Sequence, residues 1–221
     1  MPRVDIDIRT FTDYKPYTFD NGEHVENPEY SYVGSEDPDW LVNPDTFIVH
    51  SMFVAADEES GREESFDPTD AKNLLESLGA SAHFIIPQDE KTSDGRIVVY
   101  QMVQTERKAW HAGKSRIPEQ DGRAEGLNHF SLSAELIASQ ETGISEDQYR
   151  ALVGLIALLS TKFSIRNILG HNDVAGRDIR LDSPKTDPVD SGFNWEKFLT
   201  LLSKSLGNEF VSELKLVGSN R

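Results

Sequence analysis

The fold of this chain is indicated most clearly by residues 130–163, which join a strand pattern to a buried-helix pattern. The segment Phe130-Ser131-Leu132-Ser133-Ala134-Glu135-Leu136 alternates apolar and polar residues, and this period of two predicts a β-strand. Ser145 then offers a helix N-cap, and residues 149–163 are apolar on nearly every side, which is typical of a buried helix. A strand followed by a buried helix indicates helices packed on a β-sheet.

Shorter segments elsewhere continue this alternation of strands and helices. Three further strands are predicted, over residues 46–50, 81–87 and 96–103. Two further helices are predicted, over residues 69–78 and 194–206. The Asp94-Gly95 turn signal predicts that the second and third of these strands form a hairpin. Gly79 stands where a helix C-cap glycine belongs.

We therefore predict an α/β fold, a mixed central β-sheet flanked by helices in a single domain. Residues 46–206 form the predicted main domain, and residues 207–221 form a C-terminal tail. Residues 1–45 are acidic and rich in Tyr, Pro and Asp, with only Val4, Ile6 and Ile8 giving a strand signal. They are predicted to be an irregular N-terminal arm, packed on the domain or appended to it.

Composition narrows the classes of function and of metal site. The 221 residues include 38 acidic and 22 basic side chains, which gives a formal net charge of -16. This charge argues against binding to a nucleic-acid backbone, which needs a surface rich in Lys and Arg. The chain contains no cysteine. Any metal must therefore be held by histidine and carboxylate side chains.

The chain shows no pattern of an export signal or a membrane span. Residues 1–9 alternate charged and apolar residues, unlike the continuous apolar core of a secretory signal. The longest apolar run, over residues 151–160, is about half the roughly 20 residues that a bilayer requires. We expect a soluble protein without a membrane span, either cytoplasmic or released by a non-classical, phage-type or secretion-system route.

Two histidines and one aspartate are the candidates for a metal site. His50 ends a predicted strand, His171 follows Gly170, and Asp187 lies in Lys185-Thr186-Asp187-Pro188. Two imidazoles and one carboxylate leave a fourth zinc position open for water, the arrangement that distinguishes hydrolytic zinc from structural zinc. His83 begins a different strand and is expected to be structural or pocket-lining, so it is left out of the metal set.

Four blocks of sequence resemble the zinc-dependent N-acetylmuramoyl-L-alanine amidases of the type-2 amidase and peptidoglycan-recognition-protein superfamily. In chain order they are Phe47-Ile48-Val49-His50; Ala82-His83-Phe84-Ile85-Ile86 with Asp94-Gly95-Arg96-Ile97; Ala109-Trp110-His111-Ala112-Gly113; and Gly170-His171 with Lys185-Thr186-Asp187-Pro188. The resemblance covers about residues 45–203 and implies the fold of that superfamily. It also implies cleavage of the amide between N-acetylmuramic acid and L-alanine in peptidoglycan or muropeptides.

The resemblance implies a role for each site residue. His50, His171 and Asp187 would bind Zn²⁺ together with a water molecule. Glu135 would be the general acid and base, and Lys185 would stabilise the oxyanion. Trp110 and His111 are expected to contact the substrate, with a role as core aromatics as the alternative.

The sequence leaves several alternatives open. A peptidoglycan-binding receptor of the same fold that has lost hydrolysis is the rival function. A phage lysin, a delivered toxin and a recycling enzyme for soluble anhydro-muropeptides are not separated, and the oligomeric state is open. His129 is interpreted as a surface loop histidine. Fifteen residues separate His171 from Asp187, so the convergence of these two side chains is the expectation most exposed to error.

Overall fold

The computed structural model describes residues 6–11, 43–117 and 126–218. Its strands are β1 (Ile6–Thr10), β2 (Thr46–Met52), β3 (Phe84–Ile86), β4 (Ile97–Gln101), β5 (Ser131–Ile137), β6 (Asn167–Gly170) and β7 (Leu216–Val217). Its helices are α1 (Pro68–Ser77), α2 (Glu146–Leu159), α3 (His171–Ala175), α4 (Trp195–Leu206) and α5 (Asn208–Glu213), with a 3₁₀ helix at Leu127–His129.

All seven of these strands belong to one sheet, in the order β1-β4-β3-β5-β2-β6-β7. The central strand β2 pairs in parallel with β5 on one side and with β6 on the other. Strands β3 and β4 form an antiparallel pair, and β1 runs parallel to β4 at the edge. The predicted mixed sheet with flanking helices and the predicted hairpin are therefore confirmed.

Two of the three predicted helices, α1 and α2, form with the expected signals at their ends. Ser145 caps α2 in a capping box with Gln148, whose side-chain amide also donates to the carbonyls of Ile86 and Ile137, each at 3.0 Å. This buried amide fixes the start of α2 to the ends of β3 and β5. Gly79 follows α1 with a φ of 65°, and its N–H bonds to the carbonyl of Glu76 as in a Schellman ending.

Strands β1 and β7, from the N-terminal and C-terminal segments, are the two edge strands of the sheet. Within the predicted N-terminal arm, residues 6–10 form β1, and residues 12–42 lie outside the described part. The segment predicted as a C-terminal tail contains α5 and β7, and β7 pairs in parallel with β6. No helix among the described residues is long and apolar enough to cross a membrane.

The two faces of the sheet bury different kinds of side chain. On one face, side chains such as Phe47, Val49 and Leu132 pack with α2 and α4 in the largest apolar cluster. Alternate residues point the other way. His50 and Glu135 therefore lie on the opposite face from that cluster, both buried, and this face carries the candidate site.

The packing of α2 predicts a large difference between two of its leucines. Leu155 is fully buried in the main apolar cluster, whereas Leu158 is 41% exposed on the same helix. Leu155→Ala should lower the free energy of unfolding by about 2–5 kcal/mol because it leaves a cavity. Leu158→Ala should change it by less than about 0.5 kcal/mol. Urea denaturation of both variants measures this, and equal losses would contradict the described packing.

Candidate metal centre and active site

The register of the central strands brings the candidate residues together. In the parallel pairing of β2 with β5, His50 lies directly opposite Glu135, and His50 Nδ1 is 3.9 Å from Glu135 Oε1. In the pairing of β2 with β6, Val49 lies opposite Gly170. His171, the next residue and the first of α3, therefore emerges beside His50, and the ring centroids are 4.4 Å apart.

Asp187 reaches the two histidines from the long connection that follows α3. Its Oδ2 lies 3.3 Å from His50 Nδ1, and its Oδ1 lies 3.2 Å from His171 Nδ1. Two backbone hydrogen bonds fix the connection. Asn172 N–H donates to the carbonyl of Asp187 at 2.9 Å, and Lys185 N–H donates to that of Ala175 at 3.0 Å. The fifteen-residue separation thus does not prevent convergence.

The three side chains lie close enough together to hold a divalent cation. One potential ligand atom from each of His50, His171 and Asp187 lies within 4.8 Å of the other two. Burial, and then the neighbouring His171, lowers the pKa of His50 to about 4, so this ring is neutral at pH 7. Burial alone would raise the pKa of Asp187, but the two imidazoles outweigh it and hold that pKa well below its usual range. The site therefore combines an anionic carboxylate with neutral imidazole.

Glu135 has the environment of a group that exchanges protons. Burial, together with the negative charge of Asp187, raises the pKa of its carboxyl well above the usual range, and Lys185 opposes this rise. Its Oε2 is buried without a hydrogen-bond partner in the described part of the chain. A carboxyl group with a raised pKa takes up a proton more readily than an exposed one, and this group has one oxygen available for a reacting molecule.

Lys185 is the cation whose charge reaches this cluster. It is half-buried two residues before Asp187. Its positive charge lowers the pKa values of both Glu135 and His50, so its ammonium group lies near both side chains.

The two aromatic candidates occupy different places. Trp110 is half-buried, and the ammonium of Lys108 lies 4.1 Å from the centroid of its indole ring. His111 is buried, and its Nδ1 is 3.0 Å from His50 Nε2, on the side of that ring away from Asp187. The structure thus places His111 directly behind a metal candidate, an arrangement that sequence spacing alone did not indicate.

The two remaining histidines in the described part of the chain, His83 and His129, are not among the three potential metal ligands. His83 is buried, with Nδ1 3.2 Å from Ser133 Oγ and Nε2 3.0 Å from the carbonyl of Arg107. His129 is only 6% exposed, so its interpretation as a surface histidine was wrong. It lies in the 3₁₀ helix just before β5, and that short helix buries residues that a loop pattern suggested were exposed.

A groove of about 480 Å³ opens at the carboxyl ends of β2 and β5. Its lining includes Ser51, which follows His50 in the sequence, and Ser139, two residues after the end of β5. Ser51 Oγ and Ser191 Oγ are joined by a 2.8 Å hydrogen bond across the groove floor.

Comparison with known proteins identifies the family. The sequence profile described as N-acetylmuramoyl-L-alanine amidase matches residues 41–190, more than half of the chain. The 1,6-anhydro-N-acetylmuramyl-L-alanine amidase AmpD of Enterobacter cloacae is 28% identical over 196 residues, which cover 86% of this chain and 95% of that protein. AmpD of Citrobacter freundii is 30% identical over 179 residues, covering 76% and 86% of the two chains.

A solved structure agrees with these sequence matches. The crystal structure of a selenomethionine AmpD derivative aligns with a TM-score of 0.51 and 26% identity, and covers 75% of this chain and 90% of that one. Together, the sequence and structure matches confirm the resemblance based on the four sequence blocks. They also confirm that the chain is an amidase. The chain belongs to the N-acetylmuramoyl-L-alanine amidase family.

Proposed function

We propose that this chain is a zinc-dependent amidase that releases the stem peptide from N-acetylmuramic acid in soluble 1,6-anhydro-muropeptides. The observation that carries the proposal is the convergence of His50, His171 and Asp187 beside the buried Glu135. The choice of an anhydro substrate is supported by the names of the relatives, which are 1,6-anhydro-N-acetylmuramyl-L-alanine amidases. The net charge of -16 also disfavours adhesion to an anionic cell wall.

The residues present suit zinc. Neutral imidazole nitrogens and a carboxylate oxygen are ordinary zinc ligands, and three protein ligands are typical of catalytic sites. His50, His171 and Asp187 would hold the ion. When bound, zinc polarises the substrate carbonyl and lowers the pKa of water to about 7.

Glu135 is proposed to move the protons of the reaction. Its unpartnered Oε2 can accept a proton from the attacking water, and the raised pKa lets the carboxyl hold that proton. The same group can then donate it to the nitrogen of the L-alanine as the amide bond breaks. One carboxyl group thereby serves as base and then as acid.

Lys185 is proposed to stabilise the negative charge that develops on the carbonyl oxygen. Its charge acts on both Glu135 and His50, so it lies near the proposed metal ligands and the proposed acid and base. A fixed cation beside that oxygen stabilises the transition state, in which the negative charge develops, more than the uncharged substrate. Trp110 is proposed to contact the sugar or peptide with its half-exposed indole.

Removal of the Glu135 carboxylate should stop turnover and leave metal binding intact. Glu135→Gln keeps the side-chain shape but cannot take a proton, so kcat should fall about 10²–10⁴-fold. Chromatographic release of stem peptide measures the rate, and atomic emission measures the zinc content. The matched control is Glu141→Gln, an exposed carboxylate in the groove that should keep most activity. Near-normal turnover by Glu135→Gln would remove Glu135 from the mechanism.

Two replacements of Lys185 should show whether its positive charge, rather than its size, contributes to kcat. Lys185→Met removes the ammonium and should lower kcat about 10²–10³-fold, as loss of an oxyanion-stabilising group does. Lys185→Arg should retain more activity because it retains the charge. Steady-state kinetics at constant zinc content measure both variants. Equal activities of the two variants would show that the charge of Lys185 has no catalytic role.

The proposed substrate predicts a preference between two cell-wall preparations. The zinc-loaded protein should release peptides from soluble 1,6-anhydro-muropeptides faster than from intact sacculi. Chromatography of both digests at equal concentrations of stem peptide measures the ratio. Faster cleavage of sacculi would favour a lysin. Tight binding of muropeptides without cleavage would favour the receptor and contradict the proposal.

A further inference from the structure

Both histidines of the candidate metal site turn their second ring nitrogen toward the same short segment. His50 Nε2 lies 3.0 Å from His111 Nδ1, and His171 Nε2 lies 3.3 Å from the carbonyl oxygen of Ala112. Their Nδ1 atoms lie on the other side of each ring, beside Asp187. The consecutive residues His111 and Ala112 thus contact the two rings at their Nε2 atoms.

The contact with Ala112 favours one proton position on His171. A carbonyl oxygen can only accept a hydrogen bond. This hydrogen bond therefore forms only when His171 Nε2 carries the hydrogen. In a neutral ring, His171 Nδ1 then keeps its lone pair, and this atom faces Asp187 at 3.2 Å.

The proton position on His50 follows from a chain of buried hydrogen bonds that begins at Leu127. Ser131 Oγ lies 2.5 Å from the carbonyl oxygen of Leu127, and two oxygens at this distance require a hydrogen between them. Because the carbonyl cannot donate, the hydroxyl hydrogen of Ser131 belongs to this bond. Ser131 Oγ, which is 3.2 Å from His111 Nε2, must then accept a hydrogen from that nitrogen.

The rest of the chain is then determined. In a neutral His111 ring with the hydrogen on Nε2, Nδ1 is an acceptor. It can bond to His50 Nε2 only if His50 Nε2 carries a hydrogen, which leaves the lone pair of His50 on Nδ1.

The segment itself is held in place from two sides. The side-chain oxygen of Asn128, which is buried, accepts from the backbone N–H of His111 at 3.1 Å and from that of Ala112 at 2.8 Å. Arg180 donates from Nη2 to the Ala112 carbonyl at 3.1 Å and from Nε to the Lys114 carbonyl at 2.6 Å. Arg180 lies in the long connection between His171 and Asp187, so that connection also supports the segment.

We propose that the His111–Ala112 segment, with Ser131, fixes both His50 and His171 with the hydrogen on Nε2 and so presents both Nδ1 lone pairs to zinc. His111 and Ser131 are positioning residues, since they act through the ligands. This inference rests on the proposed zinc function. It also accounts for both nitrogens of His111, which are engaged by His50 and Ser131 rather than by a substrate.

The segment matters because Asp187 favours the opposite tautomer. A hydrogen on Nδ1 of either ring could be donated to the Asp187 carboxylate, and zinc would then have to displace it before binding. Partners behind metal-ligating histidines fix their tautomer, and loss of such a partner typically lowers metal affinity about 10–100-fold. The segment removes this competing state before the metal arrives.

The first test uses the unsubstituted full-length protein without metal. Two-dimensional ¹⁵N NMR of its histidine side chains distinguishes a protonated Nε2 from a protonated Nδ1. His50, His111 and His171 should all carry the hydrogen on Nε2. A hydrogen on Nδ1 of His50 or His171 would overturn the proposal. Since no variant is needed, this result does not depend on the folding of a mutant.

The second test compares two serines on the same face of β5. Ser131→Ala removes the acceptor for His111 Nε2, and zinc affinity measured by competition with a chelator should fall about 10–100-fold. In its metal-free spectrum the hydrogen of His50 should shift at least partly to Nδ1. Ser133→Ala is the matched control, because Ser133 is equally buried but bonds to His83, and it should bind zinc like the unsubstituted protein. Ser131→Thr keeps the hydroxyl and should restore the affinity.

Equal zinc affinity of Ser131→Ala and the unsubstituted protein, with unchanged tautomers, would overturn the positioning role. A failure of the proposed function would look different. A protein that shows the Nε2–H tautomers but does not bind zinc would contradict the zinc amidase and leave the hydrogen-bond chain supported.

Discussion

The site depends on the parallel pairing of β2 with both of its neighbours. The register with β5 sets His50 opposite Glu135, and the register with β6 sets Val49 opposite Gly170, so that His171 follows at the strand end. A shift of one residue in either pairing would turn the shifted side chains to the other face of the sheet. The apolar side chains that pack under α2 and α4 prevent such a shift, because it would expose them. The apolar core on one face of the sheet therefore fixes the relative positions of His50, Glu135 and His171 at the candidate site.

This arrangement concentrates polar groups in a place where they are costly unless paired. The face opposite the main core buries His50, His83, His111 and His171 together with Glu135. Ser131 lies beside Nε2 of His111, Ser133 lies beside Nδ1 of His83, and the Ala112 carbonyl lies beside Nε2 of His171. The Nδ1 atoms of His50 and His171 face Asp187, and Oε2 of Glu135 has no hydrogen-bond partner among the described residues.

The sequence was sufficient to predict the fold class and much of the site. Alternation over β5, the apolar run of β2 and the all-round apolar pattern of α2 were long enough to be read by periodicity. Strands β6 and β7 were not predicted, because four and two residues are too few for a period to appear. The resemblance led to His50, His171 and Asp187, and the structure brings them together. The place of His111 behind His50 was not predictable, since it joins residues 61 positions apart through space. Ser131 and Ser133 shared the polar face of β5 with Glu135, and this signal was present in the alternation.

The central claim is that one zinc ion is held by His50, His171 and Asp187. The most direct measurement is anomalous diffraction at the zinc edge from crystals of the zinc-loaded protein. The account predicts a single strong peak about 2.0–2.2 Å from Nδ1 of both histidines and from an oxygen of Asp187. A peak at another place, or zinc bound through the Nε2 atoms, would contradict it.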